Sequence, residues 1–244
     1  MSGTELASAV HDPDGRLVPA IVEHAGALKR LFSGFALNVS DRTAEATIDA
    51  AQDHLDARII RHQANEAMIG RVRREAVALA RPADSILYCD PDHLIRWVER
   101  DPDGLAEVLA TKPEADLLVV GRSEAAMASM PRRLRDTEQP VNEAFRLLTG
   151  LDWDLLYAIR RLGPRAADLI VSASEEDTLA NDVEWPLLAR RGGLTLCYAT
   201  SDALAYRTIE EFGAPADTGD LSPLQWIRRM EFAGLMASAM RRFL

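Results

Sequence analysis

Lysine is nearly missing from this 244-residue chain: Lys29 and Lys112 are the only two, so almost all of its positive charge is arginine. A planar guanidinium can grip a diphosphate at two points, and it serves a surface ion pair equally well. No lysine follows Lys112, which removes a late basic phosphate ligand of that type. Cysteine is just as scarce. Cys89 and Cys197 both lie in apolar, strand-like runs, which fits buried thiols in a reducing compartment and excludes a disulfide framework. No histidine follows His93, so a late histidine metal ligand is excluded too. No apolar run approaches the roughly 20 residues needed to span a bilayer, and residues 1–14 lack the basic-then-apolar order of a secretory signal. The expected location is the cytoplasm. Positive charge is also in deficit: a net charge of -10 argues against a nucleic-acid partner, which would need a basic surface.

What is there belongs to a soluble globular protein, with 48% apolar and 27% charged residues, long enough for one large α/β domain. Residues 1–17 read as polar, with a turn at 11–15 whose acids Asp12 and Asp14 have no strong strand before them. Residues 17–32 read as a helix, 34–39 as a first buried strand ending in Ser40 and Asp41, 43–55 as a helix and 57–61 as a second strand. An arginine-rich helix at 68–80 leads through Arg81-Pro82 into a third strand at 85–88. Then follow a short helix at 102–110, a fourth strand at 115–120 ending in Gly121-Arg122-Ser123, and a charged stretch at 124–142 whose poor periodicity reads as a loop over the sheet edge. Helices are expected at 143–148, 164–173 and 183–190, a strand at 193–199, a loop at 208–222 and a last helix at 223–243. Strand and helix alternate, which predicts a mainly parallel twisted sheet with helices on both faces. Residues 1–222 form one domain in this reading, and 223–244 an amphipathic helix packed on it or on a partner.

The chain is organised around Ser85-Ile86-Leu87-Tyr88-Cys89-Asp90-Pro91-Asp92. A buried strand here delivers two carboxylates to the sheet edge where open α/β sheets collect ligands. Alone, a D-x-D has a plain reading as a capped strand-to-helix turn. Its chemical readings are two: the acids hold a divalent cation against a diphosphate, or one is a phosphoryl-accepting nucleophile beside a general acid.

Other motifs accompany it in order. Gly70-Arg71-Val72-Arg73 precedes the acidic strand, and Gly121-Arg122-Ser123 ends the next one. Asp154-Leu155-Leu156-Tyr157-Ala158-Ile159-Arg160 follows, and then Asn181-Asp182-Val183-Glu184-Trp185-Pro186. With these, residues 35 to 208 resemble the GT-A fold of nucleotide-sugar glycosyltransferases, above all the family 2, dolichol-phosphate mannosyltransferase-like group. The resemblance implies an inverting, metal-dependent transfer of sugar from a nucleotide diphosphate donor to an acceptor it does not name. It implies Mg²⁺ or Mn²⁺ at Asp90 and Asp92, and donor contacts from Asn38, Ser40, Asp41, Arg73, Asp90, Arg122, Asp154 and Arg160. Asp182 is the first choice for the base that takes the acceptor's proton, and Glu184 the second. Three departures stand out. Arg74 replaces the usual asparagine, Asn38-Val39-Ser40-Asp41 stands where P-x-x-N-E is usual, and Ala158 replaces a glycine.

Two other classes compete. In a haloacid-dehalogenase-like phosphatase Asp90 would be the nucleophile and Asp92 the acid, with Ser123 on phosphate and Asp177 and Asp182 on Mg²⁺. In a non-catalytic nucleotide-sugar-binding or assembly protein the last helix would matter most. There Trp226, Ile227, Met230, Phe232, Leu235, Met236 and Met240 are expected to form one apolar face flanked by arginines. Such a face packs on the core, joins a second copy, or rests on an anionic membrane surface, core packing being the commonest outcome.

Overall fold

A computed structural model describes residues 3–206 and 218–244. The expectation for residues 208–217 lies outside the described residues. One sheet of seven strands runs through the molecule in the order β3-β2-β1-β4-β6-β5-β7. The strands are β1 (Thr4–Val10), β2 (Gly34–Ser40), β3 (Arg58–His62), β4 (Ser85–Tyr88), β5 (Leu117–Arg122), β6 (Ile159–Leu162) and β7 (Leu196–Ser201). All pair in parallel except β6, which runs antiparallel between β4 and β5.

One sheet face is covered by α1 (Val18–Leu31), α2 (Glu45–Leu55), α4 (Pro91–Arg100) and α5 (Pro102–Ala110). The other is covered by α3 (Ile69–Ala80), α7 (Arg132–Thr149), α8 (Pro164–Ala173), α9 (Asn181–Arg191) and α10 (Pro223–Arg241), while the short α6 (Glu124–Ala128) follows β5. Each face has its own apolar layer, with Trp97 filling one and Trp185 the other. Proline opens α4, α5, α8 and α10, where its missing N–H and fixed φ suit the first helical turn.

Three sequence expectations are corrected. Residues 4–10 are not polar coil: β1 is a central strand, and the D-x-D therefore follows the fourth strand. Its residues are small because α3 lies across it; Ala7 is fully buried and Ser8 Oγ donates to the Cys89 carbonyl at 2.7 Å. Asp12 beyond it does close a turn, accepting from the Arg16 and Leu17 N–H groups and from Thr47 Oγ1. Residues 124–142 are not a loop but α6 and most of α7. The buried side of α7 carries Arg133, Thr137 and Glu138 beside Val141 and Phe145, so its helical period is written partly in polar letters. The last helix lacks a single apolar face: Met236 and Met240 are buried, while Ile227 (49%), Met230 (55%) and Leu235 (40%) face outward. No helix among the described residues is long and apolar enough to cross a membrane.

Candidate functional site

The turn between β4 and α4 separates its two carboxylates. Asp90 points inward, its Oδ1 accepting from the Tyr88 hydroxyl at 2.6 Å and its Oδ2 from Arg73 Nη2 at 3.0 Å. Arg73 reaches it from α3 and spends its other end on Asp182 Oδ1 (2.9 Å) and Asn181 Oδ1 (3.1 Å) at the start of α9. The guanidinium also lies 5.6 Å over the Tyr88 ring. Arg73, Asp90 and Asp182 are thus brought together from three elements. Burial pushes the Asp182 carboxyl up, and Arg73 and Arg160 draw it back only in part. Asp92 behaves differently. It sits in the first turn of α4, where the helix dipole favours a carboxylate, with its side chain 67% exposed and His93 Nδ1 3.6 Å away.

Two clefts bear on this cluster, one lined by Arg73 and the other by Asp92. The first, about 530 Å³, lies beyond the ends of β1, β2 and β3 and is lined by His11, Arg42, His62, Arg73, Arg228 and Phe232 among others. Asn38 and Ser40 lie beneath it and do not line it. Asn38 Oδ1 contacts His62 Nδ1 at 2.9 Å and Ser40 Oγ contacts His11 Nδ1 at 2.8 Å, so both buried residues orient a histidine. Burial lowers the pKa of His62. Asp41 is exposed and accepts from the Ala64 N–H. The side chains that sequence reasoning missed are therefore His11, His62, Arg42 and Arg228; Arg42 follows a strand read in the sequence, His62 ends β3, and His11 follows β1, a strand the sequence reading did not find.

The second cleft, about 360 Å³, is lined by Asp92, His93, Arg96, Arg122, Tyr157 and Arg229, with Leu134 and Leu156 among its apolar side chains. Tyr157 stacks on His93 at 4.0 Å, and the Arg122 guanidinium lies 5.1 Å from the centre of the Tyr157 ring. Arg122 itself is buried. It grips Asp154 through Nε and Nη2, both at 2.7 Å, and Glu138 through Nη2 at 2.7 Å. Burial alone would raise the Asp154 carboxyl, but the bonds from Arg122 hold it below the usual range. Glu138 is raised by burial in spite of Arg122 and Arg229.

Arg160 and Glu184 are placed elsewhere. Arg160 is buried in the sheet and donates to the carbonyls of Leu155, Ile159 and Asp182, tying β6 to the start of α9. Glu184 faces residues 174–176, accepting from Ser174 Oγ at 2.5 Å and from the N–H groups of Glu175 and Glu176 at 3.1 Å. It is not brought to either cleft. The phosphatase constellation does not assemble: Asp90 is closed off by Arg73 and Tyr88, Asp177 pairs with Arg74, and Ser123 caps α6 and bonds Asp202.

Among the described residues no three His, Cys, Asp or Glu side chains converge to hold a metal. A hard cation needs less protein than that when a substrate supplies phosphate oxygens, since Mg²⁺ is commonly bound through one or two carboxylates plus phosphates and water. Asp92 is such a carboxylate, outward-facing and at the cleft wall. Arg73, which lines the first cleft, has its Nε buried without a partner.

No protein-family model matches the sequence, and no curated protein matches it. Solved structures do. Glucosyl-3-phosphoglycerate synthase from Mycobacterium tuberculosis in complex with UDP superposes with a TM-score of 0.55 at 13% identity, over 97% of this chain and 80% of that one. The same enzyme with Mg²⁺ and UDP gives 0.54 at 13% identity, covering 96% and 78%. With Mn²⁺, UDP-glucose and phosphoglyceric acid it gives 0.55 at 14% identity, covering 87% and 75%. The chain has the α/β fold of these GT-A transferases.

Proposed function

We propose that this protein is a metal-dependent nucleotide-sugar glycosyltransferase of the family 2 kind, transferring a sugar with inversion from a nucleoside diphosphate donor to an acceptor hydroxyl. The observation that supports it most is the division of the D-x-D: Asp90 is locked to the arginine that lines the first cleft, and Asp92 is presented to the second. The first cleft would hold the nucleotide, with Arg73 and Arg42 against the diphosphate. Asp92 would hold Mg²⁺ or Mn²⁺, the ions with which the similar structures were crystallised together with UDP. When bound, the metal would neutralise the charge that grows on the departing diphosphate.

The chain's own residues then have distinct tasks. Arg73, fixed between Asp90 and Asp182, offers a cation that needs no reorganisation as charge develops. As the acceptor oxygen bonds to the sugar carbon and the diphosphate oxygen leaves it, the hydroxyl proton passes to a carboxylate. Asp182 is the candidate, because it is bonded to Arg73, which lines the first cleft, and burial raises its affinity for a proton, whereas Glu184 is bonded to residues 174–176 and Arg242. Asp154 and Arg160 serve by positioning, one fixing Arg122 and the other the backbone at Asp182.

Calorimetric titration of UDP and other nucleoside diphosphates, with and without Mn²⁺, tests this reading. Mn²⁺ should tighten diphosphate binding in the native protein and fail to do so in Asp92→Ala, with a loss of about tenfold or more, roughly 1.4 kcal/mol. Unchanged Mn²⁺ dependence in the variant would sink the metal assignment.

A further inference from the structure

Helix α10 has two sides, and only one is used within the chain. The side that carries Met236, Ala239 and Met240 is buried in the apolar layer beside α7 and α9. The opposite side is exposed along most of the helix, with Ile227, Met230, Gly234, Leu235 and Ser238 on one strip. At 3.6 residues per turn these positions span about 140° of the circumference, the width of a packing face.

Gly234 sits in the middle of this strip. Glycine is a poor helix former, and a Cβ at this position would meet nothing within 4 Å, so no contact among the described residues uses the missing side chain. Ser238, one turn on, is small as well, and Ala237 is exposed beside it. Small residues between long apolar ones leave room for a second backbone to come close.

Two charges lie on the same strip. Glu231 and Arg241 are exposed, and neither side chain has an ion-pair partner among the described residues. Their separation is about 15 Å of helix, too far for them to meet each other. They match if a second α10 lies antiparallel across the first. About a two-fold axis level with residue 236, the Glu231 of each copy faces the Arg241 of the other, Gly234 faces Ser238, and Leu235 faces Ala237. In such an isologous contact every pairing occurs twice. An anionic membrane is the poorer fit: Arg241 suits it, but Glu231 stands on the strip and the chain carries a net charge of -10.

We propose that the exposed side of α10 is the interface of a two-fold dimer of this chain, the two helices antiparallel and held in register by reciprocal Glu231–Arg241 pairs. The apolar strip and the close approach at Gly234 supply the attraction. The charges choose the register, since exposed ion pairs add little affinity while a meeting of like charges is costly. Such a dimer requires nothing of the transferase reading.

Sedimentation velocity on the intact protein over a concentration series measures the association, with thermal unfolding recorded for each variant. The native chain should pass from monomer to dimer. Glu231→Arg and Arg241→Glu should each weaken the dimer at least about tenfold. The two together should restore it to within about threefold of native, a recovery that no loss of folding could mimic. Gly234→Leu should melt no lower than native, because its side chain has open space within its own chain, and yet weaken the dimer at least about tenfold. A native protein that stays monomeric at every concentration overturns the proposal, and flotation of that monomer with phosphatidylserine-containing vesicles would assign the strip to a membrane instead. A dimer unmoved by Gly234→Leu, or one that the charge exchange does not restore, overturns it as well.

Discussion

Ala158 takes a φ of +49°, in the left-handed region where an L side chain crowds its own backbone. Glycine would take this conformation without strain, so the alanine is held here against a backbone cost. Three effects compete in Ala158→Gly: relief of about 1–2 kcal/mol of left-handed strain, loss of about 0.8 kcal/mol for a buried methyl, and about 0.5–1 kcal/mol of added chain entropy. They nearly cancel, so urea denaturation should place Ala158→Gly within about 1 kcal/mol of native. Ala158→Val should cost about 2 kcal/mol or more, since branching at Cβ is least tolerated there. A valine variant as stable as native would refute the argument. Residue-level legibility had a clear limit. Arg73, Asp90 and Asp182, singled out by motif in the sequence, are joined in one ion cluster by the structure. Glu184 looked equivalent to Asp182 two positions earlier, but the helix turns it about 200° away, onto the N–H groups of residues 175 and 176.

Among the elements, α3 depends on a near-contact at its start. The Gly70 N–H donates to the Asp177 carbonyl at 2.8 Å, and a Cβ on Gly70 would overlap the carbonyls of Thr178 and Glu176. Arg74, in place of the usual asparagine, holds the same segment through Asp177. Helix propensity alone favours Gly70→Ala by about 1 kcal/mol. The overlap with backbone should reverse that sign, giving a net loss of about 1–3 kcal/mol in thermal or urea unfolding and weaker nucleotide binding through displaced Arg73. A stabilised variant would show that the approach is not tight. Elements were legible where pattern and environment agreed, as in α8, and were misread where the environment reversed the pattern. Thr4–Val10 holds a glutamate and small residues because it is a central strand under a helix, and α7 buries Arg133, Thr137 and Glu138 because it borders the second cleft. Functional surroundings override local rules at such places.

For the molecule as a whole, α10 is packed on the helices that cover one sheet face. It lies against α7 and α9, buries Met236 and Met240, and sends Arg228 to one cleft and Arg229 to the other. The two methionines alone contribute about 3–6 kcal/mol of burial, comparable to the total stability of many domains, about 5–15 kcal/mol. A chain ending at Ser222 should therefore aggregate or bind a hydrophobic dye on size-exclusion analysis; a soluble truncated form with cooperative unfolding would show that the helix is dispensable. The fold class could be read in the sequence because strand and helix alternate along most of the chain. The reversed strand could not, since four residues of β6 carry no mark of direction.

That reversal governs the order in which the molecule can be made. Strands β1 to β4 lie side by side and have all been synthesised once Tyr88 is made, with β4 still lacking its second neighbour. β5 has no sheet neighbour until β6 emerges to join it to β4, and Arg73 meets Asp182 only after 109 further residues. Closing so long a loop is slow. Asp90 and Arg73 therefore lack Asn181 and Asp182 until late in the chain, and the ion cluster at the D-x-D is completed only after the first four strands have been made.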